Sequence, residues 1–334
     1  MTDTDPGPLN SIARPLLELM AEAGTTELVR NGPDTMFLEV NGCWQRIARD
    51  VSAVFGPKYV RAFCSAVNAY NSGSLSFNTP FLSGYLPDPG RERIQIVTPP
   101  AVEATAFSIR RPSAVPFTLE DYLKTGVFGA IMETSDSRAG PSAVAEPGGC
   151  SPSGAMRIIR DAVLGRLNIV ISGGTGAGKT TFLNSLASLV PDHERLITIE
   201  DTREIRLAQP NVLHLTTQRE SDSYGFTELL QASLRLRPDR IFAAELRGAE
   251  AFTYLRAVNT GHPGSITTLH ASSCLTARHQ LILMLSQART GLPLDTLDMM
   301  IGNSVDVIIQ ISRFGAARRI TGLLYRGRYI NTKG

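Results

Sequence analysis

A glycine-rich segment, GGTGAGKT at Gly173 to Thr180, has the spacing GxxxxGK[ST] and lies between an apolar run and an amphipathic one. Glycines let backbone N–H groups wrap phosphate oxygens, and the N-terminus of the following helix adds partial positive charge. Lys179 can then reach the β- and γ-phosphates, and the Thr180 hydroxyl can bind Mg²⁺. The segment therefore predicts a nucleoside-triphosphate site, with ATP as the expected ligand. The residues predicted to line it are Gly173, Gly174, Thr175, Gly176, Ala177, Gly178, Lys179, Thr180 and Thr181.

A single carboxylate, Glu245, directly follows the strand-like run Ile241 to Ala244. In a doubly wound sheet, that position lies at the carboxyl end of a strand, beside the phosphate loop. A carboxylate there can orient or deprotonate the water that attacks the γ-phosphate. Because the strand positions before it are apolar, Glu245 is predicted to serve both this water and, through water, the Mg²⁺ ion.

Three acids, Glu200, Asp201 and Glu204, come at the end of a second strand-like run, RLITI. Carboxylates this close repel one another unless a cation or an arginine lies near them. The cluster therefore predicts a contact with Mg²⁺ through water or with the attacking water, and Glu200 and Glu204 are the preferred members. The alternative is that these acids cap the element that follows.

His270 immediately follows the apolar run Ser265 to Leu269, again at the end of a predicted strand. Its imidazole can donate a hydrogen bond to the γ-phosphate or to the attacking water, so we predict that His270 senses the γ-phosphate. His193, His214 and His279 have no such placement and are predicted to be structural.

Two arginines, Arg93 and Arg110, lie on successive strand-like segments, RIQIV and AFSIR, in the first part of the chain. A phosphoryl transition state spreads negative charge over its oxygens, so cations from outside the loop assist it. We therefore predict that both arginines face the nucleotide from one edge of the first domain.

The first predicted domain, residues 1–130, is α+β. Apolar and polar residues alternate around two turn signals, Asn31 to Asp34 and Asn41 to Gly42, which predicts a meander of antiparallel strands. Helices are expected to flank this sheet at Ile12 to Ala23 and at Val51 to Tyr70.

The rest of the chain divides into a linker and a second domain. Residues 131–156 are dense in Gly, Pro and Ser and are predicted to be the linker. Strand-like and helical runs alternate over residues 157–334. That alternation predicts an α/β domain with a mostly parallel sheet, whose ligands bind at the carboxyl ends of the strands.

Composition limits the function classes. Hydrophobic residues at 43%, charged residues at 19% and a formal net charge of +2 fit a globular protein without a field strong enough to imply nucleic acid. The N-terminus is acidic and unlike a signal peptide, and the apolar runs are too short to span a membrane. The four cysteines are scattered, which argues against a zinc set. The basic segment Arg313 to Arg328 is interpreted as a solvated edge, with a contact to anionic lipid or to a partner as the alternative.

Four motifs in order, GGTGAGKTT, ITIEDTREI, LRLRPDRIFAAELRGAEA and NTGHPGSITTLHASS, resemble the secretion-ATPase superfamily: phosphate loop, acidic box, Walker B element and histidine box. TELVRNGPD, RIQIVTPP, FSIRRPS and TLEDY are similar to the first domain of type IV secretion traffic ATPases. The resemblance implies a RecA-like second domain, ATP and Mg²⁺ as ligands, and hydrolysis of ATP to ADP and phosphate. The family's phosphate-loop lysine and threonine, Walker B glutamate, box histidine and first-domain arginines match Lys179, Thr180, Glu245, His270, Arg93 and Arg110.

The resemblance also implies a homo-hexameric ring, peripheral to the cytoplasmic face of the inner membrane, with ATP between the two domains. Its partners would be inner-membrane type IV secretion channel proteins and coupling ATPases, with no sequence-specific binding of nucleic acid. Whether the first domain covers its own nucleotide or a neighbour's stays open. The alternatives are a type IV pilus assembly or retraction motor and a nucleotide-switched scaffold with little hydrolysis. A small-molecule kinase is disfavoured because no lid motif is visible.

Overall fold

The computed structural model describes residues 7–87, 90–111, 117–129, 131, 150–217, 225–315 and 317–330. The chain divides into two compact units, Met1–Val115 and Pro116–Gly334. Within the described ranges, no helix is both long and apolar enough to cross a membrane.

The first unit is a sheet of six antiparallel strands with helices packed on one face. Its strands follow the order β3-β2-β1-β6-β5-β4, and the alternating side chains of Leu28, Ile94 and Ile109 form the core with α1 and α3. The turn residues Asp34 and Asn41 have φ angles of 54° and 50°, which suits the short polar side chains found in tight hairpins. The predicted α+β class is confirmed. The elements are α1 (Gly7–Leu19), β1 (Thr25–Gly32), β2 (Thr35–Val40), β3 (Cys43–Arg46), α2 (Arg49–Ala53), α3 (Pro57–Tyr70), β4 (Phe81–Tyr85), β5 (Arg93–Val97) and β6 (Ala106–Arg110).

The second unit is built on an eight-stranded sheet of order β14-β13-β12-β7-β11-β10-β8-β9. Its first elements are α4 (Leu119–Lys124), α5 (Pro152–Leu164), β7 (Ile169–Gly173), α6 (Lys179–Ala187), β8 (Leu196–Glu200), β9 (Val212–Thr216) and α7 (Phe226–Leu234). Its last elements are β10 (Arg240–Ala243), α8 (Glu250–Asn259), β11 (Ile266–Leu269), α9 (Cys274–Gln287), α10 (Leu294–Ser304), β12 (Val307–Phe314), β13 (Ala317–Tyr325) and β14 (Arg328–Tyr329).

The six strands from β12 to β9 in that order are parallel, and β13 and β14 extend the edge as antiparallel strands. The four central strands β7, β8, β10 and β11 are buried along their whole length, because helices cover both faces. Separate apolar clusters fill the two sides, one around Phe182 and Ile309 and the other around Leu255 and Leu281. This layering places the carboxyl ends of all six parallel strands at one rim of the sheet.

The boundary between the units lies earlier than residue 130, the predicted end of the first domain. A Thr118 side chain caps α4 in a capping box with Asp121, and the residues after this helix, including Phe128 and Ile131, are buried in the core of the second unit. Of the predicted linker, residues 132–149 lie outside the described residues, and α5 begins at Pro152. Burial of the short α4 segment therefore moves the boundary to Val115.

A buried ion pair fixes the opposite rim of the sheet. Arg240, at the start of β10, is fully buried and donates from Nε and Nη2 to the Glu194 carboxylate at 2.7 and 2.8 Å. Its Nη1 donates to the Val163 carbonyl at 2.7 Å. Gly264, with a φ of +82°, leaves room for this guanidinium, since a Cβ there would lie 2.7 Å from Nη1. The pair joins the ends of β10 and α5 to the segment before β8.

Candidate nucleotide-binding site

The phosphate loop connects the buried strand β7 to helix α6. Gly176 and Gly178 have φ angles of 71° and 91°, which side chains rarely adopt, so these glycines are required for the turn. A Cβ on Gly173 would lie 2.5 Å from the Ile311 carbonyl oxygen of the adjacent strand. Lys179 is the first residue of α6, with Thr180 and Thr181 next, so the loop's N–H groups and the positive end of the helix converge at one place.

Three neighbouring strands bring their terminal side chains to this loop. Strand β11 lies between β7 and β10, and His270 follows β11 directly. The Lys179 Nζ lies 3.3 Å from each ring nitrogen of His270, and the His270 Nε2 lies 3.4 Å from the Glu245 Oε1. The same Nζ donates to the carbonyl of Gly173 at 3.0 Å. The predicted lysine, histidine and glutamate therefore form one continuous cluster.

An arginine ties Glu245 to the acidic box. The Arg247 Nε donates to the Glu245 Oε1 at 2.7 Å, and its Nη1 donates to the Asp201 Oδ2, also at 2.7 Å. Thr217 donates to the second oxygen of Asp201 at 2.9 Å. Asp201 reaches Arg247 because β8, which it follows, is the neighbour of β10 in the sheet. Asp201, rather than Glu200, is therefore the acidic-box residue in contact with the cluster.

The charges around Glu245 keep it ionised. Burial by itself would raise the pKa of this carboxyl, but the hydrogen bond from Arg247 and the charges of Arg247, His270 and Lys179 outweigh it. The pKa of Glu245 therefore lies below its ordinary value. A weakly basic carboxylate is better suited to orienting a water molecule than to removing its proton early in the reaction.

Glu200 is occupied by the backbone of its own loop. Its buried carboxylate accepts the N–H groups of Glu204 and Ile205 at 2.7 and 2.8 Å and the Thr198 hydroxyl at 2.8 Å. The Glu204 carbonyl in turn accepts the Asn184 amide at 3.1 Å, which ties this loop to α6. These contacts agree with the capping alternative for Glu200, and they place Glu204 on the loop that Glu200 organises.

A pair of substitutions separates a capping role for Glu200 from a catalytic one. Glu200→Ala leaves two buried N–H groups without acceptors and is expected to lower the free energy of unfolding by about 2–4 kcal/mol. Glu200→Gln keeps an acceptor oxygen and is expected to lose much less stability and to retain most of the ATP turnover. Urea unfolding and phosphate release measure both effects. A glutamine variant of normal stability but with turnover reduced a hundredfold would contradict the capping role.

Comparison with known proteins identifies the family. A family model described as "Type II/IV secretion system protein" matches residues 142–318. Type IV secretion system protein VirB11 of Bartonella henselae is 35% identical over 93% of this chain and 91% of its own length. The chain belongs to the type II/IV secretion system protein family. Conjugal transfer protein TrbB of Rhizobium radiobacter, 33% identical over 96% of this chain and 90% of its own, is another similar protein.

A solved structure supports the fold of this family member. The Legionella pneumophila ATPase DotB matches 97% of this chain and 82% of its own chain with a TM-score of 0.63, at 18% identity. The predicted RecA-like α/β architecture and the predicted resemblance to secretion ATPases are therefore confirmed.

In this family member, the two predicted arginines of the first unit are direct cross-strand neighbours. Arg93 on β5 lies opposite Arg110 on β6, and Arg110 lies opposite Glu27 on β1. Like charges directly opposite each other destabilise a sheet, and Glu27 supplies an opposite charge on the strand next to Arg110. That both arginines face the nucleotide stays a prediction.

Arg247 is the functional candidate that the sequence analysis missed. It lies two residues after Glu245 in the irregular segment between β10 and α8, near enough in the chain to pair with that carboxylate. That spacing was a usable signal. The contact with Asp201 was not readable, because it depends on the sheet placing β8 beside β10.

Proposed function

We propose that the protein is the Mg²⁺-dependent ATPase motor of a type IV secretion or conjugative transfer system. The observation that carries this proposal is the convergence of Lys179, at the start of α6, with His270 and Glu245, which follow the adjacent strands β11 and β10. Similarity to VirB11 and TrbB over more than nine-tenths of the chain supports the assignment to secretion and conjugation.

Each residue of the site has a proposed task in hydrolysis. Backbone N–H groups of the phosphate loop and the Lys179 ammonium bind the phosphates and stabilise the charge that develops on them. Glu245 orients the attacking water and accepts its proton late, when the bond between the γ-phosphorus and the ADP leaving group is largely broken. His270 lies between Glu245 and Lys179 and so can signal whether the γ-phosphate is present.

The side chains available fit a Mg²⁺ ion bound together with the nucleotide. Among the described residues, no three carboxylate, histidine or cysteine side chains form a metal cage. Mg²⁺ commonly uses few protein oxygens together with substrate phosphates and water. The Thr180 hydroxyl would hold it directly and Glu245 and Glu204 through water, and the ion would neutralise charge on the phosphates.

We propose that Arg93 and Arg110 assist from the first unit. Their juxtaposition on adjacent strands concentrates two positive charges, which suits the oxygens of a bound polyphosphate. This role rests on the family resemblance and on the cross-strand pairing. Nucleotide turnover would then move the first unit against the second.

The proposed assembly is a homo-hexameric ring at the cytoplasmic face of the inner membrane, working with channel proteins and coupling ATPases of the secretion system. If the ATP site is complete only in the ring, ATP turnover depends on assembly. Phosphate release per chain should therefore rise with protein concentration, in step with the molar mass measured by light scattering. A stable ATP complex without phosphate release at any concentration would instead favour the nucleotide-switched scaffold.

A further inference from the structure

A second pair of arginines lies against the phosphate loop within the second unit. Strands β12 and β13 form a hairpin in which Arg313 lies directly opposite Arg318, and Ser312 lies opposite Arg319. Because side chains alternate along a strand, Arg313 and Arg318 share one face and Arg319 points to the other. The Arg319 guanidinium accordingly lies 5.7 Å from the centre of the Phe314 ring.

The sheet topology explains why this hairpin reaches the loop. Strand β12 pairs with β7, and Ile311 is the partner of Gly173, the last residue of β7. Two residues further on, β12 continues alongside the phosphate loop as β7 ends. A Cβ on Gly176 would lie 3.4 Å from the Arg313 Nη1, and one on Gly178 would lie 2.9 Å from both Cδ and Nε of Arg318. Both side chains therefore lie beside glycines of the loop.

Arg318 presents its charge at the surface of the second unit, beside the phosphate loop. Its side chain is exposed, and it has no carboxylate partner in the described parts of the chain. The Arg318 charge is close enough to affect Tyr122. Burial raises the pKa of the Tyr122 hydroxyl to about 12, although a hydrogen bond with Ser185 and the Arg318 charge both act to lower it. Lys179 and the helix terminus add further positive charge at the same loop. Such a concentration of cations is suited to a polyanion.

We propose that Arg313 and Arg318 form a basic clamp on the phosphate loop that binds the α- and β-phosphates of the nucleotide. This inference rests on the proposed function, and it assigns a task to a segment that the sequence suggested was a solvated edge. Loop glycines cradle the α- and β-phosphates, so a cation beside Gly178 acts on groups that ATP and ADP share. The clamp therefore holds substrate and product alike.

The test is nucleotide affinity in Arg318→Gln, with Arg319→Gln as the matched control on the other face of the same strand. The dissociation constants of fluorescent ADP and of ATP are measured over a range of salt concentrations. Arg318→Gln should weaken both by about tenfold, the loss of one charge-assisted contact, and reduce the salt dependence. KM should rise, and Arg319→Gln should stay within twofold of wild type. Equal urea midpoints without nucleotide show that both variants fold.

An ADP affinity within twofold of wild type in Arg318→Gln would overturn the clamp. Phosphate could also come from a lipid headgroup, and sedimentation with phosphatidylglycerol vesicles tests that source. If Arg318→Gln lost vesicle binding but kept its ADP affinity, the hairpin would be assigned to a lipid surface. That result would also overturn the clamp. ADP binding does not require hydrolysis. A wild-type protein that binds ADP through Arg318 but releases no phosphate would therefore refute the proposed motor and not the clamp.

Discussion

Replacing Glu245 by glutamine is expected to lower the rate of ATP turnover by about 10²- to 10⁴-fold while leaving ATP binding close to normal. Glutamine keeps the size of the side chain but removes the negative charge that lies 2.7 Å from the Arg247 Nε and 3.4 Å from the His270 Nε2. It can no longer accept the proton of the attacking water. Phosphate release and the dissociation constant of ATP measure the two effects separately.

A matched control is Glu228→Gln, which alters a carboxylate in the same unit that accepts the Gly225 N–H at the start of α7. That substitution should change turnover by less than twofold, because the Glu228 carboxylate caps the start of its own helix. If Glu245→Gln turned over ATP at the wild-type rate, Glu245 would not be the residue that positions the water.

Breaking the buried Arg240–Glu194 pair should have the largest effect on stability. Arg240→Met leaves a Glu194 carboxylate buried without its principal partner and is expected to lower the free energy of unfolding by about 3–5 kcal/mol. Urea unfolding followed by circular dichroism measures the change. Tryptophan fluorescence is less suitable, because the single tryptophan, Trp44, belongs to the first unit.

The double variant Arg240→Met/Glu194→Leu is the control, since it removes the stranded charge together with its partner. It should recover much of the stability lost in the single variant, because replacing a whole buried pair by apolar residues is often nearly neutral. The double variant could instead be less stable than Arg240→Met, by the full cost of a second core substitution. That result would show that the two residues act independently.

The pair also has a pH signature. The Arg240 hydrogen bond, opposed by burial and aided by neighbouring positive charges, holds the pKa of Glu194 below its ordinary value. The ionised Glu194 carboxylate therefore contributes its full stabilisation above the pKa of about 4.3 that it has in the unfolded chain. This contribution disappears as the pH falls through the lower pKa that Glu194 has in the folded protein. The difference in stability between wild type and the double variant should shrink over that acidic range.

The central strands and their functional ends could be predicted from the sequence. Runs such as RLITI and SITTL have lengths and β-branched content typical of buried parallel strands, and the residue after each run is a candidate ligand by the geometry of such sheets. Glu245 and His270 were found in this way. Helix boundaries were harder: the helix predicted from Val51 to Tyr70 is two helices, because Pro57 begins α3 after Gly56.

Contacts between strands distant in the sequence could not be predicted. Arg247 meets Asp201 because β8 pairs with β10, and Arg318 meets Gly178 because β12 pairs with β7. Strand order is decided by which apolar surfaces pack together and not by local spacing. For the same reason, Glu200 was preferred over Asp201, although its carboxylate is directed into its own loop.

Phosphate release from Mg·ATP, with Lys179→Ala as the blank, tests whether this site hydrolyses ATP. Lys179 is the first residue of α6, and its ammonium contacts both the phosphate loop and His270. We expect turnover by the wild-type protein that is abolished in the variant, at protein concentrations where the wild type assembles. Release by the wild type no greater than that of Lys179→Ala under those conditions would contradict the assignment of this site to ATP hydrolysis.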